Sequence, residues 1–185
     1  MKKKTARKQK KVGKRIIKAK LSEEKITASA KEALDLYSRS RFGEYKEGKI
    51  LYSLPEALYL AEKGKVEVSK KRKKLTFSNL MNELQKIDKK IHTKFVVFRD
   101  LRSKGYIIKT ALKYGAEFRV YEKGVKPGKK HAKYILFPVS ETSEMTWQEF
   151  TGKARIAHTT KKALLIAILD EEDDITYYEV SWKKP

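Results

Sequence analysis

The chain has 185 residues, 45 Lys and Arg against 23 Asp and Glu, and a formal net charge of +22. With 40% hydrophobic residues it is too apolar for general disorder and large enough to bury a core, as one large domain or two small ones. The charge points to a polyanionic partner, nucleic acid ahead of an anionic membrane surface. The absence of cysteine excludes disulfides, thiol nucleophiles and thiolate zinc sites. No run of about 18 apolar residues exists to span a bilayer, and the N-terminus lacks the apolar core of a secretory signal. The expected protein is soluble and cytoplasmic.

In chain order, residues 1–20 hold eleven Lys and Arg and no acid. They predict a basic tail, either simply solvated or acting as a loose electrostatic arm toward RNA. Lys18 to Thr27 predict a strand or turn. Ala28–Arg39 predicts a helix, with Ala30, Ala33, Leu34 and Tyr37 at helical spacing. Ser40–Gly48 is a polar loop, where Arg41, Tyr45 and Lys46 offer an extra RNA contact or an ordinary surface. Lys49–Leu54 is a short strand. Ser53–Gly64 is the best-punctuated helix, with a Ser53/Glu56 capping box, Pro55 in the first turn and Gly64 at the end. Leu54, Leu58 and Ala61 form its expected buried stripe. KVEVSK and KKLTF predict short strands around a basic turn, Lys70–Lys74.

Ser78 is the expected cap of the helix NLMNELQKIDKKI, and a second helix runs from Phe95 to Gly105. The domain boundary is expected near residue 90, giving a tail over 1–20, an N-terminal α+β domain over 21–90 and a C-terminal domain over 91–185. The C-terminal part predicts the strands YIIKTAL, AEFRVYE and AKYILFPV, a short helix WQEFTGKA capped by Thr146, and a final strand ITYYEVSW. RIAH fits helix or strand. ALLIAIL has no polar face, which suits a buried strand or the inner end of a helix. The fold class is α+β, with helices on a short antiparallel sheet in the smaller N-terminal unit and a mixed sheet flanked by helices in the C-terminal one.

Groups able to move a proton or hold a phosphate concentrate between Gly105 and Lys162. Cleaving RNA without a metal needs a base for the 2′-hydroxyl, an acid for the leaving 5′-oxygen and a cation for the charge on phosphorus. Imidazole is the natural acid. Of His92, His131 and His158, the strongest candidate is His131, which ends the basic Gly/Pro loop KGVKPGKKH. There Lys129 and Lys130 are expected to hold phosphate. His158 suits a helix cap or a packed position, and His92 an ordinary helix end. Tyr121 is one of ten tyrosines, and a strand residue at a loop edge explains it equally well. Lys123, Lys126, Lys129 and Lys130 around it are expected to lower its pKa by favouring phenolate. The run Asp170–Asp174 reads as a solvated turn rather than a magnesium site, because ligands to one ion usually converge from different elements. No Walker-type Gly-rich loop occurs. No cofactor or metal is expected.

The stretches YGAEFRVYEKG, HAKYILFPV and RIAHTTKKALLIAILDEEDDITYYEVSW resemble the archaeal tRNA-splicing endonuclease family, and SLPEALYLAEKG resembles that family's N-terminal domain. The resemblance implies a catalytic-type subunit making a metal-independent cut at bulge–helix–bulge junctions of precursor tRNA. The implied products are a 2′,3′-cyclic phosphate and a 5′-hydroxyl. It assigns Tyr121 as base, His131 as acid and Lys162, rather than Lys161, as stabiliser of the pentacoordinate phosphate. Arg155 matches a family Arg that sandwiches a bulge base. The second sandwich Arg has no counterpart here; Tyr177, Tyr178 and Trp182 stand near its place, as an aromatic substitute or beside an Arg from another subunit. The acidic turn Asp170, Glu171, Glu172, Asp173 and Asp174 matches a loop that docks one dimer onto another, and ITYYEVSW the strand of the tight dimer. The implied assembly is a tetramer, of four identical chains or of two with a non-catalytic homologous partner. A non-catalytic RNA-binding or assembly subunit is the alternative reading.

Overall fold

Inward alternation, not basic composition, decides where the first strand starts. The computed structural model describes residues 16–183. Of the expected basic tail, residues 1–15 lie outside the described residues, whereas Ile17 to Lys20 open strand β1 (Ile17–Ser22). Ile17, Ala19 and Leu21 point inward while Lys18 and Lys20 face water, a period of two that the lysines mask in the sequence.

The chain continues through β2 (Lys25–Ala28), α1 (Lys31–Ser40), β3 (Glu44–Lys46), β4 (Lys49–Tyr52), α2 (Leu54–Glu62), β5 (Val66–Lys70), β6 (Lys73–Lys74) and α3 (Phe77–Ile87). The strands form one sheet in the order β3-β4-β2-β1-β5-β6, in which only β1 and β5 run parallel. The polar loop expected over Ser40–Gly48 contains β3, an edge strand without buried residues and hence without an alternation to read. In α2 the capping box is present: Ser53 donates to Glu56 Oε2 from its backbone N–H and its hydroxyl, both at 3.1 Å. Its buried side is wider than the expected stripe. Pro55, Glu56, Ala57, Leu58 and Leu60 are buried, while Leu54 and Ala61 are only half-buried, because α2 packs on both the sheet and other helices. Helix α3 is capped by Thr76, whose hydroxyl accepts from Asn79 N at 3.2 Å, two residues ahead of the expected Ser78.

Helix α4 (Ile91–Ser103) starts four residues before the expected Phe95. Asp88 leaves helical geometry at φ −137 and its carboxylate accepts from Lys90 N at 2.9 Å, so one helix stops and the next begins. Then follow β7 (Ile107–Ala111), a 3-10 turn (Leu112–Tyr114), β8 (Ala116–Tyr121), β9 (Tyr134–Ser140), α5 (Trp147–Thr159), β10 (Ala163–Leu169) and β11 (Ile175–Val180). These strands form a second sheet, β11-β10-β9-β8-β7, with β9 and β10 parallel and the remaining pairs antiparallel. Thr146 caps α5 as expected, with a Glu149 capping box, and RIAH is helical within α5. ALLIAIL is strand β10. Leu165, Ala167 and Leu169 join the core under α4, while Leu164 and Ile166 join the one under α5, so the strand is covered on both faces. The class is α+β as expected, with five helices and two sheets among the described residues. The C-terminal sheet is mixed as expected, whereas the N-terminal sheet is six-stranded and mixed instead of short and antiparallel, because the chain returns through α2 to lay β5 parallel to β1.

Helix α4 lies between the two halves, packing on α2 and α3 and on β7, β9 and β10. Its buried Ile91, Phe95, Phe98 and Leu101 belong to one core that continues through both sheets. A phenylalanine such as Phe98 typically costs about 3–5 kcal/mol when cut to Ala. A polar seam reinforces this junction. Lys109, on β7, donates to Gly43 O at 2.6 Å and to Glu56 Oε1 at 3.1 Å, and the same Oε1 accepts from Gly43 N at 3.1 Å. Gly43 has φ +73, and a Cβ there would lie 2.3 Å from Ile50 Cγ2, so only glycine brings its backbone to both partners.

Candidate active site

The register of the second sheet brings three chain segments to one edge. Val120 is opposite Tyr134, so β8 ends where β9 begins. Ala163 is opposite Tyr134 in the parallel pair, so β10 begins at the same level. Tyr121 closes β8, His131 and Ala132 precede β9, and Lys162 precedes β10. Strand pairing alone therefore gathers Tyr121, His131 and Lys162.

Lys162 reaches this edge through the end of α5. Lys161 N donates to His158 O and Lys162 N to Ala157 O, both at 2.9 Å, the pattern of a Schellman cap. Lys161 takes the left-handed position, φ 54, that glycine usually fills. After the reversal Lys162 lines the cleft of Tyr121 and His131, and Lys161 does not. Lys162 Nζ donates to Thr160 O at 2.6 Å and stands 5.7 Å from the Tyr114 ring centre.

The cleft measures about 290 Å³ and is lined by Tyr114, Arg119, Tyr121, Gly128, Lys129, Lys130, His131, Ala132 and Lys162. Four cations and an imidazole line it, and no carboxylate does. Such a surface attracts anions, and a phosphodiester supplies the charge it lacks. His131, Lys129 and Lys130 are exposed on the loop. Tyr121 is only 5% exposed. Burial pushes its phenol above the ordinary value; the Arg119 charge opposes this, Tyr114 adds to it, and burial prevails. The lysines expected to lower this pKa do not. Lys129 and Lys130 are exposed to water, and Lys123 lies over the Tyr106 ring, 5.2 Å from its centre.

Arg119 is the residue that sequence reasoning missed. It sits two positions before Tyr121 on β8, and its guanidinium carbon is 6.0 Å from the Tyr121 ring centre. Its Nε is buried with no hydrogen-bond partner among the described residues. An alternating strand leading to a loop edge puts Arg119 and Tyr121 on one face, which was a usable signal.

Lys162 also borders a second cleft, about 390 Å³, with Lys133, His158, Lys161 and Trp182 among its walls. Trp182 is 60% exposed and its ring centre is 4.7 Å from that of His158. Arg155 is exposed on α5 one turn before His158. Tyr177 turns away, donating to Asp100 Oδ2 at 2.7 Å. His92, from α4, has Nε2 2.8 Å from Asp173 Oδ1. In the acidic turn, Asp170 Oδ1 accepts from Glu172 N at 2.9 Å and Asp174 N at 2.8 Å. Asp170 thus serves the turn itself and Asp173 contacts α4, leaving the Glu171, Glu172 and Asp174 side chains toward solvent. Among the described residues no group of three or more His, Cys, Asp or Glu converges as a metal site, and no helix is long and apolar enough to cross a membrane.

Residues 91–177 match the tRNA intron endonuclease catalytic C-terminal domain, and residues 17–81 match the N-terminal domain of the same family. The chain belongs to the tRNA intron endonuclease family. It is similar to proteins named tRNA-splicing endonuclease from three archaea. The identity is 38% to the Thermococcus gammatolerans protein, over 88% of this chain and 95% of that one. It is 39% to the Methanothermobacter thermautotrophicus protein, over 91% and 99%. It is 36% to the Methanococcus maripaludis protein, over 92% and 97%. Membership makes the chain an RNA-cleaving endonuclease, and its cleft lies within the stretch matching the catalytic domain.

Proposed function

We propose that this endonuclease excises introns from precursor tRNA at bulge–helix–bulge junctions, without a metal ion, leaving 2′,3′-cyclic phosphate and 5′-hydroxyl ends. The observation that carries the reading is the meeting of a phenol, an imidazole and an ammonium in one cation-lined cleft without a carboxylate. Tyr121 takes the proton of the 2′-hydroxyl, whose oxygen attacks phosphorus as the bond to the 5′-oxygen breaks. His131 protonates that departing oxygen. Lys162 holds the charge of the pentacoordinate phosphorus, with Arg119 offering its free N–H groups to the non-bridging oxygens. Burial raises the Tyr121 phenol above its ordinary value, which disfavours the phenolate and makes it the stronger base where it forms. Lys129 and Lys130 hold neighbouring phosphates. Arg155 and Trp182 border the adjoining surface, where an unpaired base stacks on a guanidinium or indole.

The assembly proposed is a dimer or tetramer, with Glu171, Glu172 and Asp174 as docking charges. Reversing those three charges should lower the native mass; an unchanged mass removes them from the interface. The function is tested with a precursor tRNA carrying a bulge–helix–bulge, in excess chelator. Excision with cyclic phosphate ends is expected. Cleavage that appears only on adding a divalent metal, or 3′-hydroxyl products, would overturn the mechanism.

A further inference from the structure

The other concentration of positive charge lies in the first sheet. Residues 70–74 are five consecutive bases, Lys-Lys-Arg-Lys-Lys. Lys70 pairs with Lys73 across β5 and β6, leaving Lys71 and Arg72 as a two-residue hairpin turn. Both have positive φ, 47 and 66, the signature of a type I′ turn. That conformation favours Asn-Gly, and the β3–β4 hairpin of the same sheet supplies a glycine in its Glu47–Gly48 turn. Turn geometry therefore does not explain Lys71 and Arg72. Protection of an edge strand explains lysines on β6 itself, Lys73 and Lys74, but not bases in the turn.

A groove of about 610 Å³ separates this turn from α3. Asn79, Asn82 and Lys86 line it from one face of that helix, at i, i+3 and i+7. The carboxylates nearby are engaged: Glu83 with Lys70 and Lys86, and Glu67 with Lys74. Lys71, Arg72 and Lys73 are exposed and have no carboxylate partner among the described residues. Free cations beside side-chain amides, with only Leu75 as an apolar wall, suit a phosphodiester backbone. A protein partner would find no apolar centre to bury.

We propose that the Lys71–Arg72 turn and the facing side of α3 form a second RNA-backbone site, which grips precursor tRNA away from the bond being cut. The inference rests on the tRNA-processing reading above. It adds binding and no chemistry, so it acts on affinity for long substrates and not on the cutting rate of bound RNA.

The test is the double variant Lys71→Asn/Arg72→Gly in the full chain. It removes two cations while installing the residues that a type I′ turn prefers, so thermal unfolding should occur no lower than in the wild type. Binding and single-turnover cleavage are measured with a full precursor tRNA and with a short bulge–helix–bulge duplex, at several salt concentrations. Affinity for the full precursor should fall about tenfold to a hundredfold at 0.1 M salt, with the slope of log K against log salt smaller by about 2. The short duplex and the rate at saturation should be unaffected. Unchanged affinity and salt slope for the full precursor would overturn the proposal. So would a drop in native mass without a change in RNA binding, which would mean that the turn receives an acidic segment of another copy. Failure of the wild type to cleave would instead strike at the tRNA-processing reading, and the binding readout would still judge the turn.

Discussion

Lys109 and Arg119 face each other across the β7–β8 ladder, yet their polar surroundings are opposite. Lys109 is 7% exposed and paired with an opposite charge, bonded to Gly43 O and to Glu56, whose carboxylate also accepts from Ser53 and Gly43. Arg119, on the next strand, keeps a buried Nε without an acceptor in a cleft that has no carboxylate. A completed network locks two halves of a fold together. An incomplete one, lined by a single sign of charge, marks where a ligand of the other sign completes it. The same sheet thus carries a structural cation and, on the proposed mechanism, a functional one on adjacent strands.

The contrast breaks or sharpens at several points, from the largest expected effect down. On the incomplete side, His131→Ala should slow cleavage by about 10²–10⁴-fold, the usual contribution of a positioned acid, while RNA binding persists. Single-turnover rates with affinity measured separately check this; wild-type rates would remove His131 from the chemistry. On the complete side, Lys109→Met leaves the Glu56 carboxylate buried without its cation and should cost about 3–5 kcal/mol of stability. Chemical denaturation measures it, and Lys109→Met/Glu56→Gln should recover part of the loss. Stability within experimental error of the wild type would show that the seam does not hold the halves together.

Arg119→Gln should do the reverse of Lys109→Met, lowering the cleavage rate by about 10²-fold or more while leaving denaturation nearly unchanged. A stability loss equal to that of Lys109→Met, with normal cleavage, would erase the distinction between the two residues. Tyr121 sets a pH signature. A base of high pKa working with an acid of lower pKa gives a plateau whose alkaline limb falls at the higher value. Burial raises Tyr121, so that limb should lie on the alkaline side of an ordinary phenol's and be missing from the residual activity of Tyr121→Phe. A limb at pH 8, or one retained in Tyr121→Phe, would assign it to another group. The smallest effect expected is for Arg155→Ala, about 1–3 kcal/mol in binding RNA with an unpaired bulge and none with a perfect duplex. Equal losses on both would make Arg155 a phosphate contact rather than a base platform.

What the sequence determined by itself was everything that short spacing controls. The Ser53/Glu56 capping box and the Thr146 cap are patterns within four residues, and both helices start where those patterns say. Strands β8 and β9 were legible, and the α+β class followed; the apolar run of β10 fitted a strand or a buried helix end, because a stretch without a polar face shows neither period. His131 was marked by the basic Gly/Pro loop it ends, but Tyr121 and Lys162 pointed to the cleft only through family resemblance, since nothing local separates Tyr121 from nine other tyrosines. Tertiary structure decided the rest. β3 lacks a buried face, and the alternation of β1 is hidden among lysines, so neither start was legible. That the capping residue Glu56 also binds Lys109, 53 positions away, depends on β7 docking beside α2. The raised pKa of Tyr121 and the unpaired Nε of Arg119 depend in the same way on what covers them. Burial and the completeness of hydrogen bonding are properties of surroundings assembled from distant segments, and no local pattern encodes them.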